Sequence, residues 1–273
     1  MHTHPSARPR RAGVAALAAI LLLGLLPAGA HADRRYFLNT YTPYTDQMGE
    51  SEVELWLTSK HGKQDPAEGA TFVPRAEWEY AITSRLSGAA YLNFLRPAGE
   101  SLKFESTSAE FIYRLAEPGR FAADPAAYLE ITESGEELEV ETKLLLARHF
   151  GRWVAATNLI GEFEFRHNDE ERLASGAILR NGVAGELAGG VAYGVGRRVT
   201  LGFEARGRTE HPNFGAQAAA LFAAGPTLNL QLGKAQVALG ALRQISGNPR
   251  TTGDRNLVDF ERTQVRVVVG VEL

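Results

Sequence analysis

Thr263-Gln264-Val265-Arg266-Val267-Val268-Val269-Gly270-Val271-Glu272-Leu273, the stretch that ends the sequence, decides the fold. Thr263, Val265, Val267, Val269, Val271 and Leu273 fall on one face; Gln264, Arg266, Val268, Gly270 and Glu272 fall on the other. This period of two in β-branched residues is the pattern of a strand with two different surroundings. No turn residue stops it before the terminus. A soluble protein rarely ends this way, because termini fray and an open apolar edge invites other strands to pair with it. A closed barrel removes the edge by pairing the last strand with the first.

Working back from this ending, the same alternation predicts strands over 50–60, 71–84, 86–96, 102–115, 125–133, 137–149, 152–165, 186–195, 199–209, 217–232 and 235–246, with the last over 260–273. Gly225-Pro226 interrupts the tenth, where proline is expected at a bulge. The fold expected is all-β: an antiparallel up-and-down transmembrane barrel of twelve strands, an even number that brings both ends of the chain to one side. Short connections at 85, 151, 196–197 and 233–234 alternate with mostly longer ones at 61–70, 97–101, 166–185, 210–216 and 247–259. Short periplasmic turns and longer external loops are the outer-membrane arrangement. Two connections depart from it: 116–124 is long and 134–136 short.

The start of the sequence reads as a signal peptide over 1–32. Arg8, Arg10 and Arg11 form a basic region, Val14 to Leu26 an apolar one, and Ala30-His31-Ala32 a cleavage site with the cut after Ala32. Residues 33–49, with Tyr36, Phe37, Tyr41 and Tyr44, form an N-terminal arm lying either inside the barrel or on its periplasmic side; the barrel itself spans 50–273. Without the leader, 26 basic residues face 32 acidic ones, a net charge of −6 that argues against a nucleic-acid partner. The absence of cysteine excludes a lipid-anchored N-terminal Cys, disulfide staples and thiolate metal sites.

Which face meets lipid follows from charge. One face of each strand carries Val, Leu, Phe, Trp and Tyr and no charge through its middle, Trp78, Tyr80, Tyr113, Trp153 and Tyr193 among them. A charge facing lipid at the midplane costs about 2–4 kcal/mol, so this face is placed outward. A soluble sandwich or lipocalin-like barrel would bury the apolar face instead, and twelve strands would leave an interior too wide for Val and Leu to fill. Parity then sends Glu52, Glu54, Glu77, Glu79, Glu110, Glu130, Glu139, Glu141, Glu162, Glu164, Glu186 and Glu204 inward, with Arg114, Lys143, Arg206 and Arg266. As a lumen lining this glutamate excess favours small polar or cationic solutes. The plainer reading is a set of cross-strand ion pairs that plug the lumen.

No enzyme activity is expected. Ser59 and His61 share one face of the first strand, but in the reverse order to the His-x-Ser of outer-membrane phospholipases, and no hydrolase, zinc or phosphate-loop motif accompanies them. His149, His167 and His211 are scattered, without metal-ligand spacing, so neither a metal nor a cofactor is expected.

The terminal strand resembles the C-terminal assembly signal of Gram-negative outer-membrane barrels, with Leu273 where that signal usually has Phe. The hairpin Glu77-Trp78-Glu79-Tyr80-Ala81-Ile82-Thr83-Ser84-Arg85-Leu86, then Ala90-Tyr91-Leu92-Asn93-Phe94 and Tyr128-Leu129-Glu130, is similar to stretches of proteobacterial outer-membrane barrels of the porin, transporter or unknown-function type. The resemblance covers 50–273. It implies an outer-membrane location, with membrane lipids and the barrel-assembly machinery as partners, and no particular solute. A channel is the first expectation. A closed barrel whose external loops 166–185 and 247–259 bind a partner is the second, and a lipid hydrolase built on Ser59 and His61 the third.

Overall fold

The computed structural model describes residues 35–63, 69–167, 176 and 178–273; the expected signal peptide lies outside the described residues. Twelve strands form one closed antiparallel barrel: β1 (Ser51–His61), β2 (Thr71–Ala81), β3 (Leu86–Leu95), β4 (Lys103–Arg114), β5 (Asp124–Glu133), β6 (Glu137–Phe150), β7 (Trp153–Arg166), β8 (Asn181–Gly194), β9 (Val199–Pro212), β10 (Ala219–Leu232), β11 (Ala235–Asn248) and β12 (Thr263–Glu272). Each strand pairs with its neighbours in sequence, and β12 returns to β1. Leu55 lies opposite Val269 and Leu57 opposite Val267, and the Leu273 N–H donates to the Ser51 carbonyl at 2.9 Å. The terminal strand therefore has no open edge, as its pattern demands.

Leu55, Leu57, Trp78, Phe111, Leu159 and Phe203 are exposed on the outside of the barrel. Their inward neighbours Glu54, Glu77, Glu110, Asn158 and Glu204 are buried. A surface so apolar is stable only against lipid. Trp78 stacks with Tyr80, and Trp153 lies against Tyr193 with ring centroids 4.7 Å apart. Both pairs sit at the end of the barrel that carries the start of β1, the end of β12 and the short turns, where an aromatic girdle meets the membrane interface.

Three expectations are corrected. The eighth strand begins at Asn181 rather than 186, because Gly182, Gly185, Gly189 and Gly190 dilute an alternation that the barrel nevertheless completes. The twelfth begins at Thr263, since Phe260 belongs to the preceding loop and packs against Leu221, Ala223 and Leu242 of β10 and β11. No bulge forms at Pro226. The ladder from β10 to β11 skips Gly225 and Pro226 while pairing with β9 continues through Pro226 and Phe203, so the missing N–H leaves no gap in the β9 ladder. The register shift lies further along, between Phe222 and Ala223. At the skipped step the two backbones come very close: a Cβ on Gly225 would meet the Ala241 carbonyl at 1.8 Å, so only glycine fits.

An arginine in place of Leu57, 55% exposed in the middle of β1, tests the lipid-facing assignment. Leu57→Arg is expected to lower folding stability by about 2–4 kcal/mol in equilibrium unfolding from phospholipid vesicles. A charge tolerated there without loss would contradict it.

Candidate functional site

The interior is organised by the N-terminal arm. Its described residues enter beside the 233–234 turn, rise to mid-barrel and return to the start of β1. The Arg35 N–H donates to Gln236 at 3.1 Å, the Asn229 amide donates to the Arg35 carbonyl at 2.9 Å, and the Thr227 hydroxyl donates to the Tyr36 carbonyl at 3.0 Å. Glu204 accepts the backbone N–H groups of Leu38, Asn39 and Thr40 at 3.0, 2.9 and 2.6 Å. Asn158 accepts from the Tyr41 N–H at 2.6 Å and donates to its carbonyl at 2.9 Å. Tyr44 then reaches Asp124, and the Gly49 N–H meets the Ala81 carbonyl. The wall thus supplies partners for backbone groups that have no strand of their own to pair with, which an irregular segment buried in a barrel requires.

The arm is also packed. Phe37 fits against Ala147, Val154, Ala156 and Ala192, and a Cβ on Gly190 would lie 2.5 Å from its ring. Tyr41 joins Trp56, Ile112, Tyr128, Leu145 and Val268. Parity suggested a charged interior, and β1 and β2 supply one at the arm, whereas on the β5 to β8 side the periplasmic half of the lumen is alanine and aromatic rings. The inward alanines at 126, 147, 156, 188 and 192 were the available signal, because a wet lumen has no reason to prefer them.

The residues expected to line the lumen fall into two levels. At the arm, Glu54 lies opposite Glu77 and Glu52 opposite Glu79, all four buried. Arg35 lies 3.0 Å from Glu54 and 3.6 Å from Glu77, sandwiched between the rings of Tyr41 and Trp56 at 4.5 and 4.6 Å. The Trp56 indole donates to both carboxylates, and Gln236 donates to Glu52 at 3.0 Å. Glu110 and Glu130, also directly opposed, share the Tyr128 hydroxyl, the Tyr91 hydroxyl reaches Glu110 and Glu77, and Arg75 stands 3.6 Å from Glu130. Arg114 sits apart from them, at the end of β4, where it donates to the Ser84 carbonyl of the 82–85 turn.

On the external side of the arm lies a cavity of about 540 Å³ bordered by Asn39 and Tyr41. One wall, on β6 and β7, sets Glu139 opposite Glu164 and Glu141 opposite Glu162. Carboxylate oxygens of Glu139, Glu162 and Glu164 lie within 4.8 Å of one another. Arg208 grips Glu162 with two hydrogen bonds of 2.6 and 2.8 Å, and Lys143 holds Glu141 at 2.8 Å. With Glu162 already neutralised by Arg208, the carboxylates are not assigned as a metal site. Arg206 stands 3.6 Å from Glu186. Half the circuit away, on β1 and β12, Lys60 and Arg266 border the same cavity. Arg266 donates to Thr58 at 2.8 Å and to the Leu38 carbonyl of the arm. The vestibule therefore has an acidic side and a basic side.

Loop 249–262 folds inward at the mouth. Leu257 and Phe260 are buried, the Gln244 amide holds the Asn256 carbonyl at 3.0 Å, and Asp259, Phe260 and Glu261 border the cavity. Burial alone would raise the Glu261 carboxyl, but Lys60, Arg206 and Lys63 hold it below the ordinary range. The loop expected to project outward at 247–259 is thus partly a lining of the vestibule. Of the other external loop expected to bind a partner, 166–185, residues 181–185 belong to β8, and 168–175 and 177 lie outside the described residues.

Ser59 and His61 do meet, Oγ to Nε2 at 2.7 Å, near the external end of β1. Both are at least partly exposed. Among the described residues no carboxylate bonds the ring as the third group that orients the base in a hydrolytic triad.

No family model and no curated protein matches the sequence. Solved structures do match it in fold. An outer-membrane channel from Pseudomonas putida F1 aligns over 84% of this chain and 97% of its own, with a TM-score of 0.54 and 12% identity. The NanC porin aligns over 81% of this chain and all of its own, with a TM-score of 0.56 and 10% identity. The KdgM porin, solved in complex with disordered oligogalacturonate, aligns over 81% of this chain and 99% of its own, with a TM-score of 0.52 and 9% identity. The closed twelve-stranded barrel with its apolar exterior therefore shares the fold of these outer-membrane barrels.

Removing the carboxylate that collects three arm N–H groups tests how the arm is held. Hydrogen bonds to a charged group contribute about 1.5–3 kcal/mol each. Glu204→Ala is expected to make the chain after Arg35 cleavable by trypsin in protein that still shows the heat-modifiable gel migration of a folded barrel. Continued protection would mean that Phe37, Tyr41 and Arg35 suffice.

Proposed function

We propose that the barrel is an outer-membrane channel for small polar solutes, with cations favoured, and that the arm at 35–49 is its internal plug. The observation that carries this reading is the two opposed carboxylate pairs of β6 and β7, Glu139 with Glu164 and Glu141 with Glu162, of which Glu139, Glu141 and Glu162 border the external cavity. Like charges directly opposite on neighbouring strands destabilise a sheet, so two successive pairs are poor structural choices. They are good ones for drawing cations from the mouth toward the centre, as acidic rings do in cation channels. Lys60 and Arg266 across the cavity, with Arg206 beside Glu186, temper that preference and make room for solutes carrying both charges.

A second reading is a closed barrel, and the arm favours it. Its backbone is bound to β7, β9, β10 and β11, and its rings pack into the periplasmic half of the lumen. The two readings make different demands on one experiment.

Single-channel recording on the mature chain, 33–273, and on a variant lacking 33–46 separates them. The channel reading expects cation-selective steps that are brief or rare in the whole chain and sustained in the variant. It expects both selectivity and conductance to fall with Glu139→Gln and Glu141→Gln. Silence from both folded proteins would leave the closed barrel. Ser59→Ala is expected to leave any lipid turnover by the preparation unchanged.

A further inference from the structure

The lipid-facing surface is not uniformly convex. Where β6 to β9 approach the periplasmic rim, an apolar groove of about 560 Å³ runs across the outside of the barrel. The register explains it. Thr157, Gly189 and Ala205 lie side by side in one row across β7, β8 and β9, and Ala155 begins the next row toward the rim. On the external side of the small row stand Leu159 and Leu187, directly paired and strongly exposed; on the rim side stand Val191 and Phe203. Small residues flanked by large ones leave a trench. In a membrane that trench meets hydrocarbon, and its volume falls within the range of about 300–1,000 Å³ usual for small-molecule sites.

One charge borders it. Arg148 lies directly opposite Ala155 on the outward face of β6, between Leu146 and Phe150. An arginine on the lipid side is costly unless its guanidinium reaches the interface. It does so here: one nitrogen donates to the Phe121 carbonyl of the 115–123 turn at 3.2 Å and lies 3.6 Å from Asp124. The head group is thus anchored at phosphate level, on the same side of the barrel as the exposed rings of Phe121, Phe150 and Trp153. Arg152, over the Tyr193 ring at 4.8 Å, adds a second cation to this rim.

We propose that this groove is a binding site for an anionic phospholipid of the inner leaflet, its acyl chain in the trench over Thr157, Gly189 and Ala205 and its phosphate at Arg148. A phospholipid, rather than a second copy of the chain, is favoured by the narrow trench beside a fixed cation. A second copy would need a broad, flat apolar face. The periplasmic position selects inner-leaflet lipid.

Trp153, directly opposite Phe150 at the rim, is a built-in reporter. Trp56 is buried inside the barrel and Trp78 is removed as Trp78→Phe. The full mature chain is placed in phosphatidylcholine vesicles containing increasing fractions of phosphatidylglycerol with a brominated acyl chain, and Trp153 quenching is followed. Half-quenching is expected at an about fivefold lower fraction than for phosphatidylcholine bearing the same chain, the preference that about 1 kcal/mol per basic residue near anionic lipid produces. Arg148→Gln should abolish the difference between the two lipids. Ala155→Leu with Ala205→Leu should fill the trench and weaken quenching by both; Gly189 is left alone because a Cβ there would press on the Ala156 carbonyl at 3.3 Å. Folding of each variant is checked by heat-modifiable migration, and the two variants act on different parts of the lipid. Equal quenching by both lipids, unmoved by either change, would show an ordinary annulus and overturn the site. A dimer in vesicles that the trench-filling change converts to monomer would also overturn it, by naming a second copy as the occupant.

Discussion

Two buried glutamates, Glu54 and Glu77, face each other across β1 and β2, and this contact sets the terms for the whole interior. Like charges so placed repel, and burial strips them of water. Removing one would leave the other without a role; keeping both calls for a cation from elsewhere. Arg35 supplies it, wedged between Tyr41 and Trp56, and the arm must therefore lie inside the barrel rather than beneath it. An arginine so enclosed is stabilised on both faces of its plane and at its edge. Once Arg35 is placed, the path of the chain to Tyr44 is narrowly confined.

The rest of the lumen answers to that path. Glu204 and Asn158 stand where arm amides need acceptors, Gly190 where Phe37 needs room, and alanines where the arm occupies volume that larger side chains would otherwise fill. Beyond the arm the design changes. Facing the external mouth, carboxylates oppose one another again, but here their cations come from the same stretch of wall, Arg208 and Arg206 of β9 to Glu162 and Glu186, and Lys143 to Glu141 on one strand. One chemical device, the opposed glutamate pair, thus serves to seat a peptide at one level and to border a wet vestibule at the other.

The outside follows a simpler constraint, since only apolar atoms are cheap against hydrocarbon. Within that constraint the residue sizes still vary, and the row of small side chains on β7 to β9 is where the exterior departs from a smooth belt. The same closed sheet therefore offers a peptide-filled interior, a charged vestibule and a lipid-side groove. Each arises from which side chains the register brings side by side.

The alternation ending at Leu273 by itself determined that the chain closes into an antiparallel barrel, because a period of two with lipid on one side leaves a strand only one way to face. The same alternation located eight of the twelve strands to within two residues at either end, β2 and β9 being off at one end by three. It was weakest where glycines diluted the pattern, as at the start of β8, and where loop residues continued it, as at Phe260 before β12. What parity could not contain was the partner of each inward residue. Glu54 with Arg35, Glu204 with three arm amides and Glu162 with Arg208 join residues far apart in sequence and, in the barrel, not on adjacent strands. Closure of the sheet brings them together, so only the tertiary structure decided whether an inward glutamate holds a plug or borders open space.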